Sequence, residues 1–179
     1  MPSRAGAVVV GTDLTDTSIP AISFALREAV WRQSTLTLVT VVDIPPRSNA
    51  RYGLPDLVFD VDKVRARARD EAAAQLEDVV SGLPPEQIGP SRAVAATVLV
   101  EFGDPAEQLT HVAAGAALLV VGHHHRSRWG RLMMGSVALR CVTEAVCPTV
   151  VVPAANRAEA VPETAAHPLA TAGQSPVST

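Results

Sequence analysis

The β-branched runs of this chain constrain it most, because several are apolar at consecutive positions where a half-exposed sheet would alternate. Residues 7–12, 35–42, 93–101, 117–121 and 149–152 read as strands. Unbroken apolar runs of this length suit strands covered on both faces, which is the condition of parallel sheets sandwiched by helices. Helical patterns lie between them. Ile19, Ile22, Leu26, Ala29 and Val30 share one face, with Thr17 or Ser18 to cap it and Pro20 in the first turn. Val61, Val64, Ala68, Ala72, Leu76 and Val79 form a second stripe, with Arg65, Arg67, Arg69, Asp70 and Glu71 largely opposite. A third helix opens at Asp104-Pro105-Ala106-Glu107, where Asp caps, Pro fits the first helical position and Glu107 completes a capping box. Val137, Ala138, Cys141, Val142, Ala145 and Val146 mark a fourth, closed by Pro148.

Strands alternating with helices predict an α/β fold: a doubly wound, mostly parallel five-stranded sheet flanked by four helices, Rossmann-like in architecture. Ligands of such sheets bind beyond the carboxyl ends of the strands, at the point where the strand order reverses. A composition 47% hydrophobic but only 3% aromatic agrees, since the interior must then be built from Val, Leu, Ile and Ala. At 179 residues the chain suits one core. Residues 1–153 are expected to form that domain. Residues 154–179, rich in Ala, Pro, Ser and Thr without an apolar period, read as a disordered tail. Residues 43–59, with Pro45, Pro46, Gly53 and Pro55, are a long connection, either a lid or a variable surface loop.

The net charge of −3 and a single lysine, Lys63, argue against a general nucleic-acid or anionic-membrane binder. Cys141 and Cys147 stand in apolar sequence and form no metal-type pair, so a disulfide framework is not expected and a reducing, cytoplasmic setting is. No secretory leader is visible, and no apolar run reaches the ~18 residues of a membrane span.

Chemistry concentrates between Gly122 and Ser136, after the fourth strand. A helix start preceded by Gly and Ser presents free backbone N–H groups and a hydroxyl to an anion, and Arg126, Arg128 and Arg131 add local positive charge. An ordinary N-cap with solvated arginines is the competing reading. Gly130 and Gly135 have the Gly-x4-Gly spacing of a P-loop, but no Lys precedes Ser136; a Gly-x-Gly-x-x-Gly fingerprint and a Gly-x-Ser-x-Gly elbow are also missing. His123, His124 and His125 are consecutive, so at most two imidazoles converge from an extended segment, and a metal centre is not expected. Cys147, before Pro148, reads as a buried apolar residue and not as a reactive thiol.

These residues together resemble the universal stress protein family, whose ATP-binding members carry Gly-x2-Gly-x9-Gly-Ser/Thr after the fourth strand. Gly122, Gly135 and Ser136 keep that spacing, with His125 in place of the second Gly. The resemblance extends to Val-Val-Gly-Thr-Asp at 9–13, Gly-Asp-Pro-Ala-Glu at 103–107, Leu-Leu-Val-Val-Gly at 118–122 and Cys-Pro-Thr-Val-Val-Val-Pro at 147–153, roughly residues 7 to 153 in all. Ala117 is a second departure, where the family often has Asp.

The resemblance implies ATP or another adenine nucleotide as ligand, with Mg2+ able to accompany it. Asp13 and Val41 match positions on the ribose and adenine side, Thr12 and Val121 would line the same crevice, and Gly122, His125, Gly135, Ser136 and Val137 fall around the phosphates. In physical terms Asp13 can accept from sugar hydroxyls, or cap its own turn through Asp16; Val41 can offer its backbone to the base edge; Ser136 can donate to a phosphate oxygen. His125 places a ring where the family has none, which either obstructs the phosphates or, protonated, donates to them. No base, nucleophile and metal carboxylates assemble in the sequence. The expectation is therefore a stress-response sensor or regulator, a homodimer with an unknown protein partner. A family member working through protein contacts alone and a slow nucleotide hydrolase are the alternatives.

Overall fold

The computed structural model describes residues 6–43, 60–84, 94–123 and 135–154. Among them run β1 (Val8–Thr12), a single 3-10 turn (Asp16–Ser18), α1 (Ile19–Arg32), β2 (Leu36–Val42), α2 (Val61–Gly82), β3 (Ala96–Phe102), α3 (Pro105–Val112), β4 (Leu118–His123), α4 (Ser136–Glu144) and β5 (Thr149–Pro153). The strands form one five-stranded sheet of order β3-β2-β1-β4-β5, every pair parallel. The α/β, doubly wound architecture follows directly. Among the described residues no helix is long and apolar enough to cross a membrane.

The continuous apolar runs are explained by what covers each face. Successive strand residues point to opposite sides. Val8, Val10, Leu36, Leu38, Leu118 and Val120 meet Ile22, Ala25 and Leu26 of α1 and Ala72, Leu76 and Val79 of α2. Val9, Val39, Leu119 and Val121 meet Ala106, Leu109 and Val112 of α3 and Ala138 and Cys141 of α4. Ile22, Leu36, Leu38 and Leu119 are fully buried, each contributing about 1.5–3 kcal/mol of hydrophobic stabilisation.

Several details depart from the expected elements. β4 runs on to His123 because β5 continues to pair with it, Gly122 with Val152 and His123 with Pro153. Gly122 therefore lies within a strand and does not open a loop. Ser18 flanks α1 but makes no side-chain cap, its hydroxyl being engaged by Asp13. Asp104 caps α3 as expected, accepting from Glu107 N–H at 2.9 Å, with Pro105 in the first turn. On α4, Ala138 and Cys141 are buried, but Leu139 and Val142 are exposed, and so is Val146, which lies beyond the helix end at Glu144. Nine residues of helix present only a narrow stripe to the sheet, and these side chains fall outside it. The predicted tail lies outside the described residues except at its first position, and the 43–59 connection except at Asp43.

Candidate functional site

β1 and β4 are neighbours in the sheet while β2 lies on the far side of β1, so the strand order reverses between β1 and β4. Crossover connections leave in opposite directions there and open a crevice beyond the carboxyl ends. A cavity of about 600 Å³ occupies that place, within the range of ~300–1,000 Å³ usual for small-molecule sites. Of the candidate residues, Thr12, Asp13, Val41, Val121, Gly122, Gly135, Ser136 and Val137 all line it. His125 lies outside the described residues. Gly11, Thr15, Thr17, Ser18, Val39, Pro105, Leu109 and Ala138 complete the wall and were not singled out from the sequence.

The wall divides by chemistry. Val39, Val41, Leu109 and Val121 form an apolar floor between the sheet and α3. The mouth is polar, from Asp13, Thr15, Thr17, Ser18 and Ser136. Gly11 allows the floor to exist: a Cβ there would lie 3.0 Å from Leu109 Cδ1, so α3 packs against bare backbone.

The β1–α1 loop is built around the Asp13 carboxylate. Its Oδ1 accepts from Thr15 N–H at 3.0 Å, Thr15 Oγ1 at 2.7 Å and Ser18 Oγ at 2.7 Å. Asp13 thus organises its own turn, through Thr15 and Ser18 where the sequence suggested Asp16, and it lines the cavity as well. Thr12 falls on the same strand face as Val8 and Val10, and its hydroxyl binds Gln75 and the Leu14 N–H. Its share of the cavity wall is therefore mainly backbone.

Across the mouth stands the start of α4. Gly135 is the N-cap, with no atom of the described residues within 4 Å of the place a Cβ would take. Leu139 N–H to Gly135 C=O, at 2.9 Å, is the first bond of the helix, so the amides of Ser136, Val137 and Ala138 precede the ladder. Ser136 is exposed within the first turn and is not the cap. His123 Nδ1 accepts from Gly135 N–H at 3.4 Å, tying the end of β4 to the head of α4. Cys147, expected to be buried, is only half-buried, and that partial burial pushes its thiol up.

A sequence profile described as the Universal stress protein family matches residues 6–153. The chain belongs to the universal stress protein family. A family protein from Burkholderia pseudomallei is 26% identical, with 86% of this chain and 100% of that one covered at a TM-score of 0.55. A universal stress protein crystallised in complex with cAMP is 24% identical, covering 86% and 100%, at 0.52. Another from Archaeoglobus fulgidus, in complex with dAMP, is 17% identical, covering 83% and 98%, also at 0.52. Membership accounts for the alignment of strand-end and helix-start motifs that lie far apart in sequence yet share one cavity.

Proposed function

We propose that this protein binds an adenine nucleotide in the switch-point cavity and acts as a stress-response sensor or regulator, as a cytoplasmic homodimer that signals to a protein partner. The observation that carries the reading is the convergence of Asp13, Val41, Gly122 and Ser136, from four separate elements, on one crevice with an apolar floor and a polar mouth. The cAMP and dAMP complexes of two similar structures point the same way.

The chemistry fits each part of such a ligand. A purine suits the floor of Val39, Val41, Leu109 and Val121, where the backbone at Val41 would meet its edge. Asp13 can accept from ribose hydroxyls, and Ser136 together with the leading amides of α4 can donate to phosphate oxygens. A Mg2+ accompanying the nucleotide would be held mainly by its phosphates, since a single carboxylate, Asp13, stands among the described lining residues. Binding without rapid turnover is the expected behaviour, since the wall hydroxyls beside the Asp13 carboxylate, on Thr15 and Ser18, are spent on the turn of the loop itself. Residues 1–153 are the functional unit, and truncation beyond Ala155 should leave binding unchanged.

Mass spectrometry of whatever leaves the denatured protein, with thermal shifts in ATP, AMP and cAMP, tests this. At about 100 times the dissociation constant, ligand should add ~2.7 kcal/mol of stability and raise Tm by several degrees. Ser136→Ala should remove about 1–3 kcal/mol of binding and leave the fold intact. His125→Gly decides whether that residue obstructs or assists: a shift appearing only in the variant means obstruction, one lost in it means contact. Absence of any shift in both proteins, with the fold intact, defeats the nucleotide reading.

A further inference from the structure

Gln75 belongs to α2, outside the cavity wall, yet it is bonded twice to the loop that forms the cavity's mouth. Its Oε1 accepts from Thr12 Oγ1 at 2.6 Å, and its Nε2 donates to the Thr15 carbonyl at 2.9 Å. A hydroxyl has one proton. Having donated it to Gln75, Thr12 Oγ1 must act as the acceptor for Leu14 N–H, at 3.0 Å. The chain of hydrogen bonds therefore has a fixed direction, and only a side chain with an acceptor and a donor side by side can close it. Glu lacks the donor, Met lacks both, and Asn is one methylene short.

The held segment resists being held. Leu14 has φ 63, a left-handed conformation that residues with a β-carbon adopt only where surroundings enforce it. It lies between Asp13, which lines the cavity, and Thr15, which Gln75 grips. We propose that Gln75 is a positioning residue: it clamps the β1–α1 loop through Thr12 and Thr15 and so presents Asp13 to the hydroxyls of a bound nucleotide. The ligand half of this proposal rests on the nucleotide reading above; the clamp does not. The apolar floor is made by Val39, Val41, Leu109 and Val121, whereas the bonds of Gln75 go to Thr12 and Thr15, so the clamp governs sugar recognition and leaves base binding alone.

The experiment is calorimetric titration of wild type, Gln75→Met and Gln75→Glu with AMP and with its 2′,3′-dideoxy analogue, alongside amide hydrogen exchange of the ligand-free proteins. Wild type should prefer AMP by roughly tenfold, about the value of one hydrogen bond to a carboxylate. In Gln75→Met that preference should shrink to about twofold, while affinity for the dideoxy analogue stays within about twofold of wild type. Gln75→Glu should behave as Gln75→Met at neutral pH and regain the preference, relative to wild type, as acid protonates the new carboxyl into a donor for Thr15. A preference absent from wild type or unchanged in Gln75→Met overturns the proposal, as does an equal loss for both ligands. If wild type binds neither nucleotide, the functional reading fails and exchange alone decides the clamp. Leu14 and Thr15 amides exchanging about tenfold faster in Gln75→Met, against an unchanged Val39, support it; unchanged exchange at Leu14 and Thr15 overturns it.

Discussion

Gly11 and Cys141 show how single positions tune the cavity and its surroundings. Leu109 Cδ1 and Cδ2 would stand 3.0 and 3.1 Å from a Cβ at Gly11, and Leu109 is itself 5% exposed, with little room to withdraw except into the cavity. Gly11→Ala should therefore cost about 1–3 kcal/mol of stability by overpacking and also reduce the nucleotide-dependent Tm shift. Adding Leu109→Val should restore part of the shift, a coupling that a double-mutant thermal analysis would expose. Cys141 is fully buried, and desolvation pushes its thiol from 9.0 up to about 11. At pH 8 its thiolate fraction is on the order of one in a thousand, so native protein should leave it unmodified by iodoacetamide and denatured protein should not. Because the folded value is the raised one, the contribution of this group to stability is complete below about 9 and is lost as pH rises toward about 11. Cys141→Ala should flatten the alkaline limb of a Tm profile across that window.

At the scale of elements, the head of α3 is joined by charge to the middle of α4. Asp104 accepts from Glu107 N–H at the head of α3 and pairs with Arg140 of α4 at 2.7 Å, while Arg140 also reaches Glu144 at 3.0 Å. The Glu107 amide, and after it Arg140, hold the Asp104 carboxyl below its ordinary range. Its stabilisation is present above the unfolded value of 3.8 and lost as pH falls through the lowered folded one. Asp104→Asn keeps the cap and drops the ion pair, whereas Asp104→Ala drops both, so Tm at neutral pH should fall in the order wild type, Asn, Ala. Both variants should show a shallower acid decline than wild type below about pH 4. The cap was readable in Asp-Pro-Ala-Glu because capping is local in sequence. Its partner Arg140 was not, since nothing in residue spacing brings a residue 36 positions away to the same helix end. The same limit hid Gln75 and the extension of β4, where glycine suggested a strand end and cross-strand pairing with β5 overrode it.

For the molecule as a whole, strand order decides both where the cavity lies and which surface is left uncovered. The doubly wound sheet was legible because continuous apolar strands admit few other coverings, and the part of the cavity wall reached from the sequence is the part carried by strand-end and helix-start motifs. What local pattern leaves open is the outer boundary. Among the described residues β5 is hydrogen-bonded to β4 alone, so one edge of the sheet presents backbone that no described strand pairs. Beside it α4 exposes Leu139 by 51% and Val142 by 46%, and Val146, just past the helix, is 81% exposed. Periodicity had assigned Val142 and Val146 to the core, and a second chain would cover them much as a core does. An edge strand next to a small apolar patch suits a two-fold interface, in which each copy offers the same surface. The expected particle is a dimer of twice the chain mass by light scattering at micromolar concentration, insensitive to salt because the patch is apolar. Val142→Glu with Val146→Asp should convert it to monomer, since a symmetric contact would bring these new charges of one copy close to those of the other. Both substitutions lie on exposed positions, so the isolated fold should keep its far-ultraviolet spectrum and, because neither residue lines the cavity, its nucleotide affinity. A variant still dimeric would move the interface to another surface, and a wild type that is monomeric would remove the dimer altogether.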